Sequence, residues 1–355
     1  MSSFLSPRFS AMRPYVPGEQ PQDQQYIKLN TNESPYPPPA PVLAAAQAEA
    51  EKLNLYSDPD DRIVREKIAA LYGVDVGCVL ATNGSDEALH YIILAYGDAD
   101  RPFAFPDITY GFYPVVCNLY GLPYEEIPLR LDFTVDLNAC VENHYNLIIA
   151  NPNAPTGIAL TREEIRVIAA SNPRRLVVVD EAYVDFGAES CVPLTKELDN
   201  LLVVQTFSKS RSLAGARLGF AIGNEALIAE LNAVRCSLNP YNVNRMTLAA
   251  GAAAIDCNEF FMENCRRIMA TREETRRQLA NMGFEILPSK TNFLFARRPG
   301  LPGADYYRLL KERGILIRHF TGARIADYAR ITMGNPEQMQ ALIDTTKKIL
   351  EEGQK

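Results

Sequence analysis

The sequence contains few residues of the kinds that bind zinc or form disulfide bonds. Its three histidines, His90, His144 and His319, lie far apart along the chain. A zinc cluster needs several such ligands close together, so this distribution argues against one. The seven cysteines form no C-x-x-C pair, and an odd, scattered set indicates reduced, buried thiols of a cytosolic protein. We therefore expect no metal site.

Long apolar runs and an excess of positive charge are also missing. No stretch approaches the roughly 18 apolar residues that a membrane span needs, and residues 1–8 lack the apolar segment of a signal peptide. The net charge of -7 disfavours a nucleic acid or an anionic membrane as partner. We expect a cytoplasmic protein in which any anionic ligand is bound by a local cluster of cations.

The chain is long enough for two domains, or for one large domain with a smaller one beside it. It has 355 residues, of which 47% are hydrophobic and 22% charged, as in ordinary globular proteins. Residues 1–40 are rich in proline and polar residues, so we expect an arm that lies extended across the rest. Arg272, Arg276 and Arg277 alternate with glutamates, which is typical of a solvated, salt-bridged helix face.

Lys209 is the centre of the candidate chemistry. It follows an apolar run, residues 201–204, that is typical of a buried strand. A partly desolvated lysine loses its proton easily and then forms a covalent bond with an aldehyde. Small hydroxyl side chains and an arginine nearby suit an anionic ligand; here they are Thr206, Ser208, Ser210, Ser212 and Arg217. These residues alone leave open a solvated lysine beside a serine-rich loop.

An acid stands at the end of a second apolar strand, residues 177–179, as Asp180. Pyridoxal phosphate needs a lysine, an acid facing its pyridinium nitrogen, and a phosphate cup. The segments that include Asn151-Pro152-Asn153-Ala154-Pro155-Thr156-Gly157, Asp180-Glu181-Ala182-Tyr183, and Ser208-Lys209 with Arg217-Leu218-Gly219 resemble the motifs of fold-type I aminotransferases, specifically their class II. The resemblance extends from about Leu29 to Gly334, with the motifs in the expected order.

The resemblance implies an α/β fold of the fold-type I PLP-transferases. It would have a large domain with a mostly parallel sheet flanked by helices, and a small α/β domain built from both termini. The implied division is an N-terminal arm at 1–40 that contributes to the small domain, a large cofactor-binding domain at 41–257, and a small C-terminal domain at 258–355. Ligands of such sheets bind at the carboxyl ends of the strands.

The resemblance also assigns roles around pyridoxal 5'-phosphate. Lys209 would bond to the cofactor and move the substrate proton, Asp180 would face the ring nitrogen, Tyr183 would hydrogen-bond the phenolate oxygen, and Tyr110 would stack on the ring. The residues that would hold the phosphate are Gly84, Ser85, Asp86, Thr206, Ser208, Arg217 and, from the partner chain of a homodimer, Tyr56. From sequence alone, residues 84–86 equally suit an ordinary capped helix, and Tyr56 a packed turn.

One position departs from the usual family pattern. The asparagine usually found directly before Pro-Thr-Gly is Ala154 here, and Asn153 precedes it. Either Asn153 reaches the phenolate oxygen, or Tyr183 makes that hydrogen bond alone. We include Asn153 among the expected cofactor contacts.

The substrate side of the site rests on arginines and asparagines. An unpaired cation in an apolar strand is costly, so Arg330 should bind a ligand or form an internal salt bridge; the resemblance favours a substrate anion. Arg318, Asn32 and Asn292 are further candidates. The implied reaction exchanges an amino group between L-histidinol phosphate and 2-oxoglutarate or glutamate, in histidine biosynthesis. Alternatives are an aromatic amino-acid aminotransferase, an O-phosphothreonine decarboxylase, or a non-catalytic binder of the cofactor.

Overall fold

A computed structural model describes residues 4–6, 9 and 12–353 of the chain. The strands are β1 (Ile27–Lys28), β2 (Val79–Thr82), β3 (Phe103–Pro106), β4 (Tyr124–Ile127), β5 (Asn146–Ala150), β6 (Val177–Asp180), β7 (Leu201–Thr206), β8 (Gly219–Gly223), β9 (Glu285–Ile286), β10 (Phe293–Arg297), β11 (Ile315–Leu316), β12 (Arg318–His319) and β13 (Ala329–Thr332).

Helices connect and cover these strands. They are α1 (Ala40–Ala50), α2 (Arg62–Tyr72), α3 (Ser85–Tyr96), α4 (Phe112–Tyr120), α5 (Leu137–Glu142), α6 (Arg162–Ala170), α7 (Glu225–Leu238), α8 (Arg245–Asp256), α9 (Asn258–Asn281), α10 (Gly303–Glu312) and α11 (Pro336–Glu352).

The central sheet has seven strands in the order β2-β8-β7-β6-β5-β3-β4. Strands β3 to β7 pair in parallel, and β8 runs antiparallel to both of its neighbours, β2 and β7. Every residue of β6 and β7 is buried. Continuous apolar strands are what a parallel sheet covered on both faces requires, so the mostly parallel α/β fold is confirmed.

The C-terminal part has its own sheet and its own core. Strands β12, β13, β10 and β9 form an antiparallel sheet in that order, while β1 pairs in parallel with β11. Leu29, which follows β1, is buried in the same apolar cluster as residues of α10 and α11. The N-terminal arm therefore contributes to the C-terminal part, although the division at residues 40 and 257 remains a prediction.

Two further observations concern the surface and the thiols. Among the described residues, no helix is both long enough and apolar enough to cross a membrane. All seven cysteines lie in the described part of the chain and are free thiols.

The long helix α9 corrects one expectation. Arg276 and Arg277 are exposed and pair with glutamates on the same helix, as predicted. Arg272 is buried instead, and its Nη1 donates to the carbonyl oxygens of Phe186 and Thr291. The prediction of a solvated Arg272 is therefore wrong, because two remote loops supply acceptors that the local charge pattern does not reveal.

Candidate active site

A cavity of about 520 Å³ lies at the carboxyl ends of β5, β6 and β7, and is closed on another side by residues of the N-terminal arm and of the C-terminal part. Strand ends of parallel sheets meet at one edge, which is why distant motifs converge here. The predicted site residues that line the cavity are Asn32, Ser85, Asp86, Tyr110, Asp180, Tyr183, Thr206, Ser208, Lys209, Arg217, Arg318 and Arg330.

Lys209 lies just beyond the end of β7, with its amine directed across the cavity. The Nζ atom donates to the carbonyl oxygen of Thr31 at 3.1 Å and lies 5.9 Å from the ring centroid of Tyr183. Burial, with a further contribution from the positive charge of Arg330, lowers the pKa of Lys209 to about 8. A neutral amine is the form that attacks an aldehyde and accepts a proton, so the site favours the reactive form.

Asp180 ends β6, the strand next to β7, and is 4% exposed. Its Oδ2 accepts a hydrogen bond from the Tyr113 hydroxyl at 2.7 Å, and its Oδ1 accepts one from the backbone N–H of Ala182 at 3.2 Å. Burial raises the pKa of the Asp180 carboxyl to about 6. A cationic ring nitrogen opposite this carboxyl would restore the charged form by direct attraction.

Tyr183 is held by the N-terminal arm. The Asn32 amide donates to the Tyr183 hydroxyl oxygen at 2.8 Å, and the Asn32 carbonyl oxygen Oδ1 accepts from Thr332 Oγ1 at 2.9 Å. Asn292 is fully buried and does not line the cavity; its Nδ2 donates to the backbone oxygen of Asn32 at 3.0 Å. The expected substrate contact of Asn292 is thus corrected: its amide supports Asn32 from behind.

The turn at the start of α3 combines a helix N-terminus with a guanidinium group. Arg217 Nη2 lies 3.1 Å from Asp86 Oδ2, and its Nη1 lies 3.5 Å from Ser208 Oγ. A Cβ atom on Gly84 would come within 2.6 Å of Arg217 Nη2, so a larger residue there would displace this guanidinium from the turn. Backbone N–H groups, the helix dipole and an arginine together favour a bound phosphate.

Hydroxyl groups and a tyrosine complete the surroundings of this turn. Thr206 Oγ1 donates to Ser208 Oγ at 3.0 Å, and the Tyr110 hydroxyl donates to Asp86 Oδ1 at 3.0 Å. Gly84 does not itself line the cavity, but the neighbouring Ser85 and Asp86 do. The residues predicted to hold the cofactor phosphate are therefore brought together, apart from Tyr56.

Arg330 lies on β13, in the C-terminal wall of the cavity. Its Nη2 donates to the carbonyl oxygen of Asn30 at 2.9 Å, and its guanidinium carbon lies 5.3 and 5.6 Å from the ring centroids of Phe293 and Phe320. Within residues 12–353 no carboxylate forms a salt bridge with it, and Nε is buried without a partner. Burial lowers the pKa of Arg330. The internal salt bridge considered from sequence is thus absent there.

Arg318 lines the same wall but is bound to the N-terminal arm. Its Nη1 and Nη2 donate to the carbonyl oxygens of Pro17 and Val16, each at 3.3 Å. These bonds hold the arm over the cavity, and the half-buried guanidinium lies on the strand next to that of Arg330.

Besides Gly84 and Asn292, two more predicted residues lie outside the cavity. Tyr56 is 77% exposed, and its ring stacks on Tyr241 with centroids 4.4 Å apart. Asn153 donates from Nδ2 to Ile108 O and Thr156 Oγ1, and its Oδ1 accepts from Thr109 Oγ1 at 2.7 Å. The expected cofactor contact of Asn153 is corrected: Asn153 does not line the cavity, and its Nδ2 hydrogens are taken by Ile108 O and Thr156 Oγ1.

Several lining residues were not among the predicted site residues. They are mainly on the N-terminal arm: Tyr15, Gly18, Gln20, Thr31 and Glu33, together with Phe320. Tyr15 packs edge-on against Tyr110, with ring centroids 5.7 Å apart. The arm has no helical or strand periodicity that would place it against the site. Asn32 was therefore its only residue among the predicted site residues.

Comparison with known proteins identifies the family. The model of the family described as "Aminotransferase class I and II" matches residues 24–345. The chain belongs to this aminotransferase family. It is 50% identical to histidinol-phosphate aminotransferase 1 of Bradyrhizobium diazoefficiens, over 99% of this chain and 100% of the relative. It is 45% identical to the histidinol-phosphate aminotransferase of Brachyspira hyodysenteriae, over 99% of each chain.

Solved structures share the fold of this aminotransferase. Histidinol-phosphate aminotransferase from Sinorhizobium meliloti, in complex with pyridoxal-5'-phosphate, superposes with a TM-score of 0.89 at 24% identity, over 99% of each chain. An L-threonine-O-3-phosphate decarboxylase from Porphyromonas gingivalis superposes with a TM-score of 0.80, also at 24% identity, over 91% of this chain and 99% of that one. At this identity the likeness concerns the fold, which both activities share.

The cavity fits pyridoxal phosphate, the cofactor of this aminotransferase. Lys209 would bind the aldehyde, Asp180 would face the ring nitrogen, and Tyr110 would cover the ring. Arg217, which lies beside the α3 turn, would hold the phosphate together with the N–H groups of that turn. The donor set therefore matches the aldehyde, the ring and the phosphate of that cofactor.

Proposed function

We propose that this aminotransferase exchanges an amino group between L-histidinol phosphate and 2-oxoglutarate, as a step of histidine biosynthesis in the cytoplasm. The observation that carries this proposal is Arg330, a half-buried guanidinium without a carboxylate partner among the described residues, on the same cavity as Lys209. Relatives named histidinol-phosphate aminotransferase at 45–50% identity support the choice of substrate.

Pyridoxal phosphate, when bound, supplies an electron sink for the bonds of the substrate carbon that carries nitrogen. Lys209 then has two tasks: its Nζ binds the cofactor between turnovers and moves the substrate proton during turnover. With a pKa of about 8, the amine exchanges a proton readily near neutral pH, which is what a general acid and base requires.

Asp180 and Tyr183 set the charge around the cofactor. The carboxylate of Asp180, oriented by Tyr113 and by the backbone of Ala182, would keep the ring nitrogen protonated. The Tyr183 oxygen already accepts from Asn32, so its own hydrogen is free to be donated toward the ring oxygen. Together the two residues favour electron withdrawal into the ring.

Arg330 and Arg318 would bind the anionic end of each substrate in turn. A planar guanidinium matches both carboxylate and phosphate in bidentate geometry. The rings of Phe293 and Phe320 flank the Arg330 guanidinium and help to keep it in place. One arginine would therefore serve the phosphate of the amino alcohol in one half-reaction and a carboxylate of glutamate in the other.

A homodimer would complete the phosphate site with Tyr56 of a second copy. In support, Tyr56 and Tyr241 form a stacked pair at the surface, and Leu53 and Leu55 nearby in the chain are 63% and 56% exposed. Exposed apolar groups of this kind are typical of a contact surface. Sedimentation of the holoenzyme is expected to give twice the mass of the chain.

The substrate assignment is tested by separate incubations of the holoenzyme. L-Histidinol phosphate, phenylalanine, tyrosine, aspartate and O-phosphothreonine are each added, and the cofactor absorbance is followed. We expect rapid conversion to the amine form with histidinol phosphate, reversed by 2-oxoglutarate. Conversion with the aromatic amino acids alone would favour an aromatic aminotransferase, and release of carbon dioxide from O-phosphothreonine would favour a decarboxylase.

A further inference from the structure

Arg235 is a buried arginine on α7 that lies outside the cavity. It is 2% exposed. Its Nη2 donates to the carbonyl oxygen of Pro59 at 2.7 Å, and its Nη1 donates to Pro240 O and to Asn242 Oδ1, each at 3.1 Å. Asp61 Oδ2 lies 3.8 Å from the same Nη1. The guanidinium therefore joins two loops that are far apart in sequence.

These two loops carry the stacked tyrosines of the surface. Pro59 follows Tyr56 closely in the chain, and Pro240 directly precedes Tyr241. The ring centroids lie 4.4 Å apart with an interplanar angle of 19°. Arg235 binds the backbone carbonyls of Pro59 and Pro240, one in each loop. It therefore holds the two loops at a fixed distance beside the stacked rings of Tyr56 and Tyr241.

A second connection runs from Arg235 to the turn before α3. Asn242, which accepts from Arg235, donates from Nδ2 to Glu87 Oε2 at 2.6 Å. The same carboxylate oxygen accepts from the backbone N–H of Asn83 at 2.6 Å. Asn83 precedes Gly84, so Glu87 holds the first residue of the turn in which Ser85 and Asp86 line the cavity.

We propose that Arg235, Asn242 and Glu87 form a positioning chain that joins the Tyr56–Tyr241 loops to the α3 turn, so that cofactor affinity and subunit contact depend on a residue that touches neither. This inference rests on the proposed function only in assigning the phosphate to the turn and Tyr56 to the subunit contact. Buried polar chains of this kind are stiff when fully satisfied and costly when one member is lost.

Asn242→Asp tests the connection to the α3 turn separately from the connection to the Tyr56–Tyr241 loops. Aspartate keeps an oxygen for Arg235 but loses the donor to Glu87 and places two carboxylates together. We expect the dissociation constant for pyridoxal phosphate, from absorbance titration, to rise about tenfold, while the dimer dissociation constant from sedimentation stays unchanged. Arg235→Lys loses the planar fork that reaches both loops, so both constants are expected to rise about tenfold.

Arg175→Lys is the matched control. Arg175 is as buried as Arg235 and donates to the carbonyl oxygens of Cys140, Asn143 and Ile168, at the opposite ends of the sheet strands from the cavity. We expect Arg175→Lys to lower the thermal midpoint of the cofactor-free protein without changing either constant. If Asn242→Asp fails to fold, Glu87→Ala, at a half-buried position, tests the same connection to the α3 turn.

The proposal is overturned if Arg235→Lys and Asn242→Asp leave both constants at the values of the parent protein, or change them no more than Arg175→Lys does. Both constants are measured without substrate. A protein that binds the cofactor but does not transaminate histidinol phosphate would therefore refute the proposed function and leave this test intact.

Discussion

The side-chain amide of Asn32 donates to the hydroxyl oxygen of Tyr183 at 2.8 Å, across 151 residues of sequence. Thr332 and Asn292 hold Asn32 in turn, through its side chain and its backbone oxygen. The C-terminal part of the molecule therefore orients a tyrosine that follows a strand of the central sheet. With its oxygen accepting from Asn32, the Tyr183 hydroxyl can donate its own hydrogen into the cavity that it lines.

Tyr183→Phe is expected to raise the pH midpoint of the absorbance change of the Lys209-bound cofactor by about one to two units. The removed hydrogen bond to a charged oxygen is worth about 1.5–3 kcal/mol, and one pKa unit corresponds to about 1.4 kcal/mol. Asn32→Ala keeps the hydroxyl but frees its orientation, so we expect a smaller shift in the same direction. An unchanged midpoint in Tyr183→Phe would refute the proposed hydrogen bond.

Lys209 is expected to capture pyridoxal phosphate with a pH midpoint near 8. Burial lowers the pKa of its amine to about 8, so the neutral, nucleophilic form appears about two units below the pH at which a solvated lysine deprotonates. The rate of the absorbance change on adding cofactor to the cofactor-free protein, measured from pH 6.5 to 9.5, checks this. Lys209→Ala is the control and should show no covalent capture; a midpoint above 10 would contradict the burial argument.

Glu181 predicts a specific pH dependence of stability. Its carboxyl accepts hydrogen bonds from Ser190, Cys191 and Gln205, and burial raises its pKa to about 7. Between pH 4.5 and 7 the folded state holds a proton that the unfolded state has released, so stability falls as the pH rises. The slope is at most about 1.4 kcal/mol per pH unit for this group.

Glu181→Gln removes this contribution, so the fall of stability with pH should become shallower. It should not vanish, because Asp180 and Asp61 remain in both proteins and contribute with the same sign. Urea unfolding of the cofactor-free proteins at several pH values gives the two slopes. Equal slopes in variant and parent would show that Glu181 titrates normally.

Asn153→Ala is expected to affect stability and leave cofactor capture intact. The side chain of Asn153 forms three hydrogen bonds within its own part of the structure, to Ile108, Thr109 and Thr156. Losing buried bonds of this kind costs about 1–3 kcal/mol, which differential scanning calorimetry detects as a lower thermal midpoint. A shifted absorbance maximum of the bound cofactor would instead place Asn153 in contact with the ring.

The sequence predicts what depends on local pattern. The apolar run before Lys209 becomes β7, and the acid at the end of the preceding apolar run becomes Asp180 on the neighbouring strand. Their convergence follows from parallel pairing, which the alternation of strands and helices favours. The fold class and the central pair of the site were therefore predictable.

Long-range contacts were not predictable in the same way. Tyr15 lines the cavity where Arg318 holds the carbonyl groups of the next two residues, Val16 and Pro17. No hydrophobic periodicity in either segment of the sequence indicates this contact. Asn292 was expected to contact the substrate, yet its amide donates to the backbone oxygen of Asn32. Such assignments depend on which chain segments meet after folding, which one sequence alone does not specify.

Strand β8 is inserted between β2 and β7, although it follows both of them in the chain. On a ribosome, the segment that ends in the α3 turn emerges long before its neighbour in the sheet has been translated. Strand β2, which leads into the α3 turn, and strand β7, which precedes Lys209, acquire their final spacing only once Gly219–Gly223 is available to pair with both. A nascent chain halted before Gly219 would thus contain Asp180 and Lys209 and still lack a pocket for the cofactor.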